Sequence, residues 1–251
     1  MNKLQSIIIL GATSSIAEYT ARHFINNGAS IFCIGRSEQK LESLLDDLRV
    51  RASQTQIIDG AVADLTAIDN HKLIFQLALE KLGHIDSVLI AHGNLPNQKL
   101  CELDTEQLLQ SVQTNALSSI SLMNIVANYL EKRQHGVIGV ISSVAGDRGR
   151  QSNYVYGASK GMLSIYSQGL RNRLHKSGVS VTVIKPGFVD TPMTSAFNNK
   201  GILWSDPQTV AKIIFKSMKN GKGDVYAPGY WRIIMLIIKH IPDFIFKRLS
   251  L

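Results

Sequence analysis

Short apolar segments that alternate with helix-length segments constrain the fold of this chain more than any other feature. Runs such as 7–10 and 88–90 are apolar at every position, where a strand with one solvated face would alternate. Strands buried on both faces have this pattern, which is typical of parallel sheets covered by helices on each side. The predicted strands are 6–10, 30–35, 55–59, 87–91, 136–142, 179–185 and 224–227. The predicted helices are 13–27, 37–52, 66–82, 104–131, 153–177 and 207–219.

The order of these elements predicts an α/β fold with one doubly wound domain, in which a parallel seven-stranded sheet carries helices on both faces. The chain has 251 residues, of which 45% are hydrophobic and 18% charged, so it can build one sizeable core. These fractions exclude a disordered chain. We divide the sequence into a domain over 1–229 and an apolar, basic tail over 230–251.

Composition also narrows the function classes. The two cysteines and seven histidines show no metal-ligand spacing, and no metal site is therefore predicted. A chain with only two cysteines has no disulfide framework, which favours the reducing cytoplasm. The net charge of +8 suits an anionic ligand, a nucleic acid or an acidic membrane. The basic residues are dispersed and no nucleic-acid motif is present, which argues against nucleic-acid binding. Gln5 and Ser6 interrupt the first apolar run, which favours a buried strand over a signal peptide.

The turn after the first predicted strand, 11–17, reads Gly-Ala-Thr-Ser-Ser-Ile-Ala. Ligands of doubly wound sheets bind beyond the carboxyl ends of the strands, where this turn lies. Its small residues let a pyrophosphate approach the backbone, and the helix that follows offers free N–H groups. The alternative is an ordinary turn in which Ser14 or Ser15 only caps the helix.

Arg36 directly follows the second predicted strand, where an acidic residue would accept a hydrogen bond from a ribose hydroxyl. A guanidinium suits a 2′-phosphate instead, so NADP(H) is predicted to be preferred and NAD(H) is the alternative. A solvated arginine at a helix start is the other interpretation. Asp64 follows the third strand, where it can accept from an adenine amino group or cap the next helix.

Tyr156 and Lys160 lie four residues apart, on one face of a predicted helix. A nearby ammonium favours the phenolate of a tyrosine, so the pair can act as a general acid and base; packing plus a solvated lysine is the alternative. Ser143 ends a buried strand shortly before, and its hydroxyl can hydrogen-bond a substrate carbonyl as charge develops on the oxygen. The G-x-S-x-G elbow of serine hydrolases is not matched at this serine.

Five motifs, in this order along the chain, resemble those of the short-chain dehydrogenase/reductase family. They are the turn 11–17, Ala91-His92-Gly93, Gln113-Thr114-Asn115-Ala116, Ser143 ahead of Tyr156-Gly157-Ala158-Ser159-Lys160, and Lys185-Pro186-Gly187-Phe188-Val189-Asp190-Thr191. The resemblance covers nearly the whole chain. It implies a Rossmann-type fold and hydride transfer between a nicotinamide and a ketone, an aldehyde or a secondary alcohol.

The resemblance also implies a role for each site residue. Tyr156 would protonate the alkoxide as hydride arrives, Lys160 would lower the pKa of that phenol and bond the nicotinamide ribose, and Ser143 would orient the carbonyl. Asn115 would hold a water in a proton relay to Lys160. The cofactor contacts, beginning at the first turn, would be Gly11, Thr13, Ser14, Ser15, Ile16, Arg36, Asp64, Leu65, Gly93, Tyr156, Lys160, Pro186, Gly187, Val189 and Thr191.

The chain departs from the family pattern in two places. Ser15 and Ala17 stand where glycines are usual, and both are small enough for the turn to survive. Ile90 and the Ala91-His92-Gly93 motif stand where the family usually has Asn-Asn-Ala-Gly, so bracing asparagine contacts are absent and an imidazole comes close to the cofactor. We expect His92 to be a local packing change in preference to a third catalytic group.

The tail is the most apolar part of the chain, and Arg232, Lys239, Lys247 and Arg248 interrupt it. Such a helix either covers the substrate cleft or a subunit contact, or lies in a membrane interface. Together with the first turn, it resembles the family branch that reduces a keto-sugar on a polyprenyl phosphate; acyl chains and steroids are other candidate substrates. The family's substrate pocket is shaped mainly by the region 193–206, where we expect a flexible lid at 193–198.

An NADPH-dependent carbonyl reductase or alcohol dehydrogenase is the leading functional interpretation. A catalytically silent NADP(H)-binding regulator of the same fold is the alternative. The complete set of Asn115, Ser143, Tyr156 and Lys160 argues against it, because a sensor needs no proton donor. By analogy with relatives we expect a homodimer or homotetramer in the cytoplasm. Peripheral contact with the inner face of the membrane through the tail is the alternative to a tail that covers the cleft or a subunit contact.

Overall fold

The computed structural model describes residues 4–195, 197 and 201–249. Its strands are β1 (Ser6–Leu10), β2 (Ser30–Gly35), β3 (Ile58–Val62), β4 (Ser87–Ile90), β5 (Gly136–Ile141), β6 (Val179–Pro186), β7 (Phe188–Val189), β8 (Trp204–Ser205) and β9 (Asp224–Ala227). Its α-helices are α1 (Ser15–Ile25), α2 (Glu38–Arg51), α3 (His71–Leu82), α4 (Gln98–Leu103), α5 (Thr105–Val112), α6 (Ser118–Arg133), α7 (Tyr154–Leu174), α8 (Pro207–Lys219), α9 (Trp231–His240) and α10 (Asp243–Phe246).

One seven-stranded sheet has the order β3-β2-β1-β4-β5-β6-β9, and each neighbouring pair in it is parallel. The predicted doubly wound α/β sheet is confirmed. The winding reverses between β1 and β4, so the turns that follow these two strands lie side by side at the carboxyl edge. A Cβ added to Gly11 would lie 2.7 Å from the His92 backbone nitrogen, which shows how closely the two turns approach.

Helices cover both faces of this sheet, and β1 shows why its sequence lacks alternation. Ile7 and Ile9 belong to the core on one face, which α1, α2 and α8 complete. Ile8 and Leu10 belong to the core on the other face, beneath α3, α6 and α7. Since successive side chains of a strand point to opposite faces, both sets must be apolar.

The third strand begins later than predicted, at Ile58 instead of residue 55. The side chain of Gln56 explains the difference: its Nε2 donates to the carbonyls of Ile25 and Ala29, at 3.0 and 2.7 Å. These bonds hold the residues before β3 against the end of α1 instead of in the sheet.

The helix predicted over 104–131 is two helices, α5 and α6, joined by one π-helical turn over Gln113–Leu117. Such single turns inside α-helices occur frequently at functional sites. This turn carries Asn115, which is fully buried. The helix α4 and the parallel pair β7–β8 were not predicted.

The described part of the tail forms α9 and α10, and α9 packs against the segment that follows β5. Trp231 and Met235 are buried together with Val144. The guanidinium of Arg148 donates to the carbonyls of Ile238 and Ile241, at 2.7 and 2.6 Å.

The first two residues of the predicted lid, Met193 and Thr194, belong to the short 3-10 helix Pro192–Thr194. The lid residues Ala196 and Asn198 lie outside the described residues. Within the described ranges, no helix combines the length and the apolar character that crossing a bilayer requires.

Candidate active site

The turn between β1 and α1 presents bare backbone at the carboxyl edge of the sheet. Gly11 has a φ of +82°, which favours glycine, and its N–H donates to the Ile34 carbonyl at 2.9 Å. The Ser14 hydroxyl accepts from the Ala17 N–H at 3.4 Å, so Ser14 is the cap of α1. The other contacts predicted on this turn, all partly exposed, are Thr13, Ser15 and Ile16.

Arg36 is exposed at the end of β2, next to this turn. A Cβ added to Gly35 would lie 2.9 Å from the Thr13 methyl, so β2 ends against the first turn. The nearby charge of Arg36 contributes to lowering the pKa of Asp64, after the hydrogen bonds from Thr66, which are the largest cause. The guanidinium and the carboxylate therefore belong to the same end of the cleft.

The Asp64 side chain stabilises the turn in which it lies. It does not cap α3, which begins at His71. Its Oδ1 accepts from both the backbone N–H and the hydroxyl of Thr66, each at 2.9 Å. Leu65 is buried, and its carbonyl accepts from the His71 imidazole at 2.9 Å. The turn after β3 is thus fixed in place beside Arg36.

Glycines set α7 directly against the turn that follows Ser143. A Cβ added to Gly146 would lie 2.7 Å from the Gly161 nitrogen, and one added to Gly157 would lie 2.8 Å from the Ala145 carbonyl oxygen. Backbone therefore touches backbone across this contact. The close approach brings the first turns of α7, which carry the tyrosine and the lysine, to the end of β5.

The Ser143 hydroxyl lies beside the Tyr156 phenol, and its interaction with that phenol acts to lower the pKa of Tyr156. Ser143 is buried, and its Oγ also accepts from the Ala145 N–H at 3.1 Å, which fixes the side-chain rotamer. The α7 N-terminus is held separately, because Gln98 on α4 accepts from the Val155 N–H at 3.1 Å. The two hydroxyls therefore meet on a rigid scaffold.

Lys160 is 3% exposed, and its Nζ donates to the Ile141 carbonyl at 3.0 Å. The Nζ lies 5.7 Å from the centre of the Tyr156 ring. Burial lowers the pKa of Lys160 to about 8. The ammonium is thus anchored beside the ring by Ile141, the last residue of β5, two positions before Ser143.

The predicted direction of the tyrosine pKa shift is wrong for this structure. Burial raises the pKa of Tyr156 to about 12, and the hydrogen bond from Ser143 opposes only part of that increase. The ammonium of Lys160 is directed at the Ile141 carbonyl and lies over the ring, so it does not offset the desolvation of the phenol. Tyr156 is therefore a protonated phenol at neutral pH.

Asn115 is held by the segment after β4. Its Oδ1 accepts from the Asn94 N–H at 3.0 Å, and its Nδ2 donates to the Asn94 side chain at 2.7 Å. A Cβ added to Gly93 would lie 2.8 Å from Asn115 Oδ1 and 3.4 Å from Lys160 Nζ. The amide and the ammonium therefore both approach Gly93, which brings the predicted residues Gly93, Asn115 and Lys160 together.

The segment after β6 closes the other end of the cleft. The N–H of Gly187 donates to the Ala227 carbonyl at 3.2 Å, and Pro186 ends β6. The Thr194 hydroxyl donates to the Val189 carbonyl at 2.7 Å and accepts from the Thr191 N–H at 3.2 Å. The Trp231 indole covers Gly187, where an added Cβ would lie 1.9 Å from its ring.

The His92 imidazole points away from the first turn toward α6. Its Nε2 lies 2.8 Å from the Ser118 hydroxyl and 3.3 Å from that of Ser119. Burial lowers the pKa of His92 to about 3, so the ring is neutral. These contacts favour the packing role over a catalytic one.

Several residues of the site carry no recognisable sequence signal. Asn94 and Gln98 position Asn115 and α7, yet both lie in a segment without apolar periodicity. The buried carboxylate of Asp147 binds the Lys185 ammonium at 2.7 Å and the Tyr226 hydroxyl at 2.6 Å. This cluster holds the turn behind Ser143, and its members are distant in sequence.

The arrangement fits a bound dinucleotide. The turns after β1 and β4 lie where the strand order reverses, and Gly11 and Gly93 leave the backbone of these turns uncovered by side chains. The buried ammonium of Lys160 lies next to Gly93. Among the described residues, no group of three or more His, Cys, Asp or Glu side chains could hold a metal ion.

The buried ammonium predicts an unusual dependence of stability on pH. Between pH 8 and 10 the unfolded chain keeps Lys160 protonated while the folded chain loses that proton, so the unfolded state binds more protons and the free energy of unfolding rises with pH. We expect this rise to be about 2 kcal/mol larger in the wild type than in Lys160→Met. Urea unfolding at pH 8, 9 and 10 measures it.

Lys99→Met is the matched control, because the Lys99 side chain is 83% exposed. That variant should follow the wild-type curve. Parallel curves for the wild type and Lys160→Met would show that Lys160 titrates at its usual value in the folded protein.

A model of the family described as short chain dehydrogenase matches residues 5–201. The chain is 33% identical over 187 residues to an uncharacterized oxidoreductase of Staphylococcus epidermidis, which is 74% of this chain and 79% of that protein. It is 30% identical over 246 residues to an uncharacterized oxidoreductase of Mycobacterium tuberculosis, which is 97% of this chain and 96% of that protein.

Two solved structures with similar folds are named as reductases. A variant of actinorhodin polyketide ketoreductase with NADPH has a TM-score of 0.80 at 22% identity, over 90% of this chain and 96% of that one. Levodione reductase has a TM-score of 0.80 at 16% identity, also over 90% and 96%. At sequence identities this low, the structural likeness shows a shared fold alone.

Proposed function

The chain belongs to the short-chain dehydrogenase family and is an NAD(P)-dependent oxidoreductase, and on that premise we propose that Tyr156 is its general acid and base. The reaction is hydride transfer between the nicotinamide of NADP(H) and a ketone, an aldehyde or a secondary alcohol. The observation that carries the proposal is that backbone contacts at Gly146 and Gly157 hold α7 against the turn after Ser143, with the buried Lys160 Nζ 5.7 Å from the centre of the Tyr156 ring.

In the direction of reduction, the bound nicotinamide supplies the hydride. Ser143 donates a hydrogen bond to the substrate oxygen as that oxygen gains negative charge. Tyr156 gives its proton to the same oxygen, and a pKa of about 12 means that the phenol holds this proton at neutral pH. The charge of Lys160 then stabilises the phenolate that remains, and Asn115 would hold a water in a proton relay to Lys160.

A screen of NADPH oxidation across ketones, aldehydes and keto-sugars tests this function, with Tyr156→Phe as the blank. The alternative is a silent NADP(H)-binding regulator of the same fold. It would bind NADPH, and no carbonyl compound would raise the oxidation rate above that of the blank.

NADP(H) is the proposed cofactor because Arg36 is exposed where the ribose 2′-phosphate would lie and faces a cleft end that also holds Asp64. Arg36→Asp is expected to narrow the ratio of NADPH to NADH affinity by at least about tenfold, since a charge-assisted hydrogen bond to phosphate is replaced by repulsion. Titration of both cofactors, followed by tryptophan fluorescence, measures the ratio.

Lys132→Asp changes the net charge equally at the far end of α6, where the side chain is exposed, and should leave the ratio unchanged. Equal ratios for the wild type and Arg36→Asp would leave Arg36 as a solvated helix-start residue.

An aromatic wall lies in and around the region 193–206, which is expected to shape the substrate pocket. The Phe188 ring stacks on Trp204 with centres 5.4 Å apart and meets the edge of Trp231 at 5.5 Å, while Phe197 lies 6.0 Å from Trp204. This wall supports an apolar carbonyl substrate. A keto-sugar on a polyprenyl phosphate, an acyl chain and a steroid each have the required apolar part, and the keto-sugar remains the specific proposal.

We also propose that the protein is a cytoplasmic homodimer or homotetramer. The free cysteines Cys33 and Cys101 are both buried, as expected for a reducing compartment. Exposed apolar side chains on the helices of Asn115 and Tyr156 support a subunit contact there; they are Leu109, Leu117, Met162 and Ile165.

A further inference from the structure

The helix α9 is apolar on two faces, and only one of them is covered. Its inner face, with Trp231 and Met235, is buried against the turn after Ser143. Its outer face carries Ile233, Leu236 and Ile237, which are 66%, 59% and 62% exposed. A helix that is apolar nearly all round is normally buried, so the outer face of α9 is built for a partner.

The exposed apolar surface continues beyond α9. Phe244 and Ile245 on α10 are 62% and 43% exposed, and Leu249 follows them. We call this surface the tail face and define it as Ile233, Leu236, Ile237, Phe244, Ile245 and Leu249.

The tail face is held rigidly on the domain. Arg148 donates to the carbonyls of Ile238 and Lys239 at the end of α9 and of Ile241 just after it. Its guanidinium lies 3.7 Å from the centre of the Phe246 ring. This clamp satisfies carbonyls that the end of a helix would leave open. The outward direction of the tail face is therefore a fixed property of the fold.

The charges around the tail face identify its partner. The exposed basic side chains are Arg232, Lys239, Lys247 and Arg248, and the acidic one is Asp243. In a contact between two copies of this face, the cations of both copies would repel one another. Anionic lipid headgroups complement those cations while the acyl boundary accepts the apolar side chains. We propose that the tail face docks on the surface of an anionic lipid bilayer.

Docking there would set the substrate cleft at the bilayer. The Tyr230 hydroxyl, directly before α9, donates to the Leu203 carbonyl at 3.1 Å, and Leu203 follows Ile202, which is 97% exposed. Apolar surface thus extends from the tail face to the aromatic wall of the cleft. This part rests on the proposed function: a carbonyl compound with a long apolar chain would enter the cleft directly from the bilayer.

Vesicle flotation with the full-length chain tests the proposal. We expect the protein to float with vesicles of equal phosphatidylglycerol and phosphatidylcholine, and not with phosphatidylcholine alone. Leu236→Glu/Ile237→Glu should lower the bound fraction at least tenfold, because it places two carboxylates in the apolar boundary. Lys239→Gln/Lys247→Gln should lower it about tenfold or more through the loss of two lipid-facing charges. Val50→Glu is the matched control, since Val50 is 89% exposed on α2, and it should float like the wild type.

Equal flotation of the wild type and Leu236→Glu/Ile237→Glu would overturn the proposal, as would a wild type that stays with the soluble fraction. A loss of self-association in that variant, with no vesicle binding by the wild type, would assign the tail face to a second copy instead. Flotation requires no turnover, so its failure is separate from a failure of the NADPH oxidation screen. Turnover of a water-soluble carbonyl by the variant should match the wild type.

Discussion

Replacing Tyr156 with phenylalanine is expected to lower kcat for carbonyl reduction by about 100- to 10,000-fold, the usual contribution of a positioned general acid. The phenol is the protonated group that faces Ser143, so its removal leaves the developing alkoxide without a proton donor. The ring remains, so NADPH should still bind. Stopped-flow oxidation of NADPH gives the rate, and quenching of the fluorescence of the two tryptophans gives the affinity.

Tyr154→Phe is the matched control for this prediction. Tyr154 lies two residues earlier at the start of α7, and its side chain is exposed. The control should keep the wild-type kcat. A Tyr156→Phe enzyme that works within about threefold of the wild type would remove Tyr156 from the chemistry, because general acid catalysis is worth far more than that.

Removing the carboxylate of Asp147 is expected to destabilise the protein by about 3–5 kcal/mol. Asp147→Ala leaves the Lys185 ammonium buried without its 2.7 Å partner, and it also removes the acceptor of the Tyr226 hydroxyl. Asp224 lies 3.8 Å from the same ammonium, which places the loss toward the lower end of that range. Urea denaturation measures the free energy of unfolding.

The exposed pair of Arg49 and Glu42 provides the comparison, because Glu42→Ala should cost less than about 1 kcal/mol. The double variant Asp147→Leu/Lys185→Met should recover more than half of the loss, since it removes both buried charges together. If Asp147→Ala costs no more than Glu42→Ala, then the cluster behind Ser143 does not stabilise the fold.

The sheet could be predicted because the signal for each central strand is local. β1 must be apolar at consecutive positions since both of its faces are covered, and this is visible in the four residues 7–10. The break between α5 and α6 could not be predicted in the same way. It accompanies the bonds from Asn115 to Asn94, a contact between residues 21 positions apart.

The candidate site likewise has one part that local sequence signals predict and another part that depends on long-range contacts. The spacing of Tyr156 and Lys160 and the position of Ser143 at a strand end place these three side chains together, and the structure brings them together. The sign of the Tyr156 pKa shift depends on how far burial outweighs the nearby charge, which no spacing encodes. The contacts of Asp147 with Lys185 and Tyr226 span 38 and 79 residues, so only the fold reveals them.

The clamp made by Arg148 has a consequence for biosynthesis. Arg148 leaves the ribosome 90 to 93 residues before the carbonyls of Ile238 and Ile241 that it binds. A nascent chain that has made every central strand can already hold Asp147 through Lys185 and Tyr226, but it lacks the acceptors of Arg148 until α9 has emerged. A ribosome stalled before residue 238 would therefore carry the complete sheet with the Arg148 guanidinium still without its carbonyl partners on the tail.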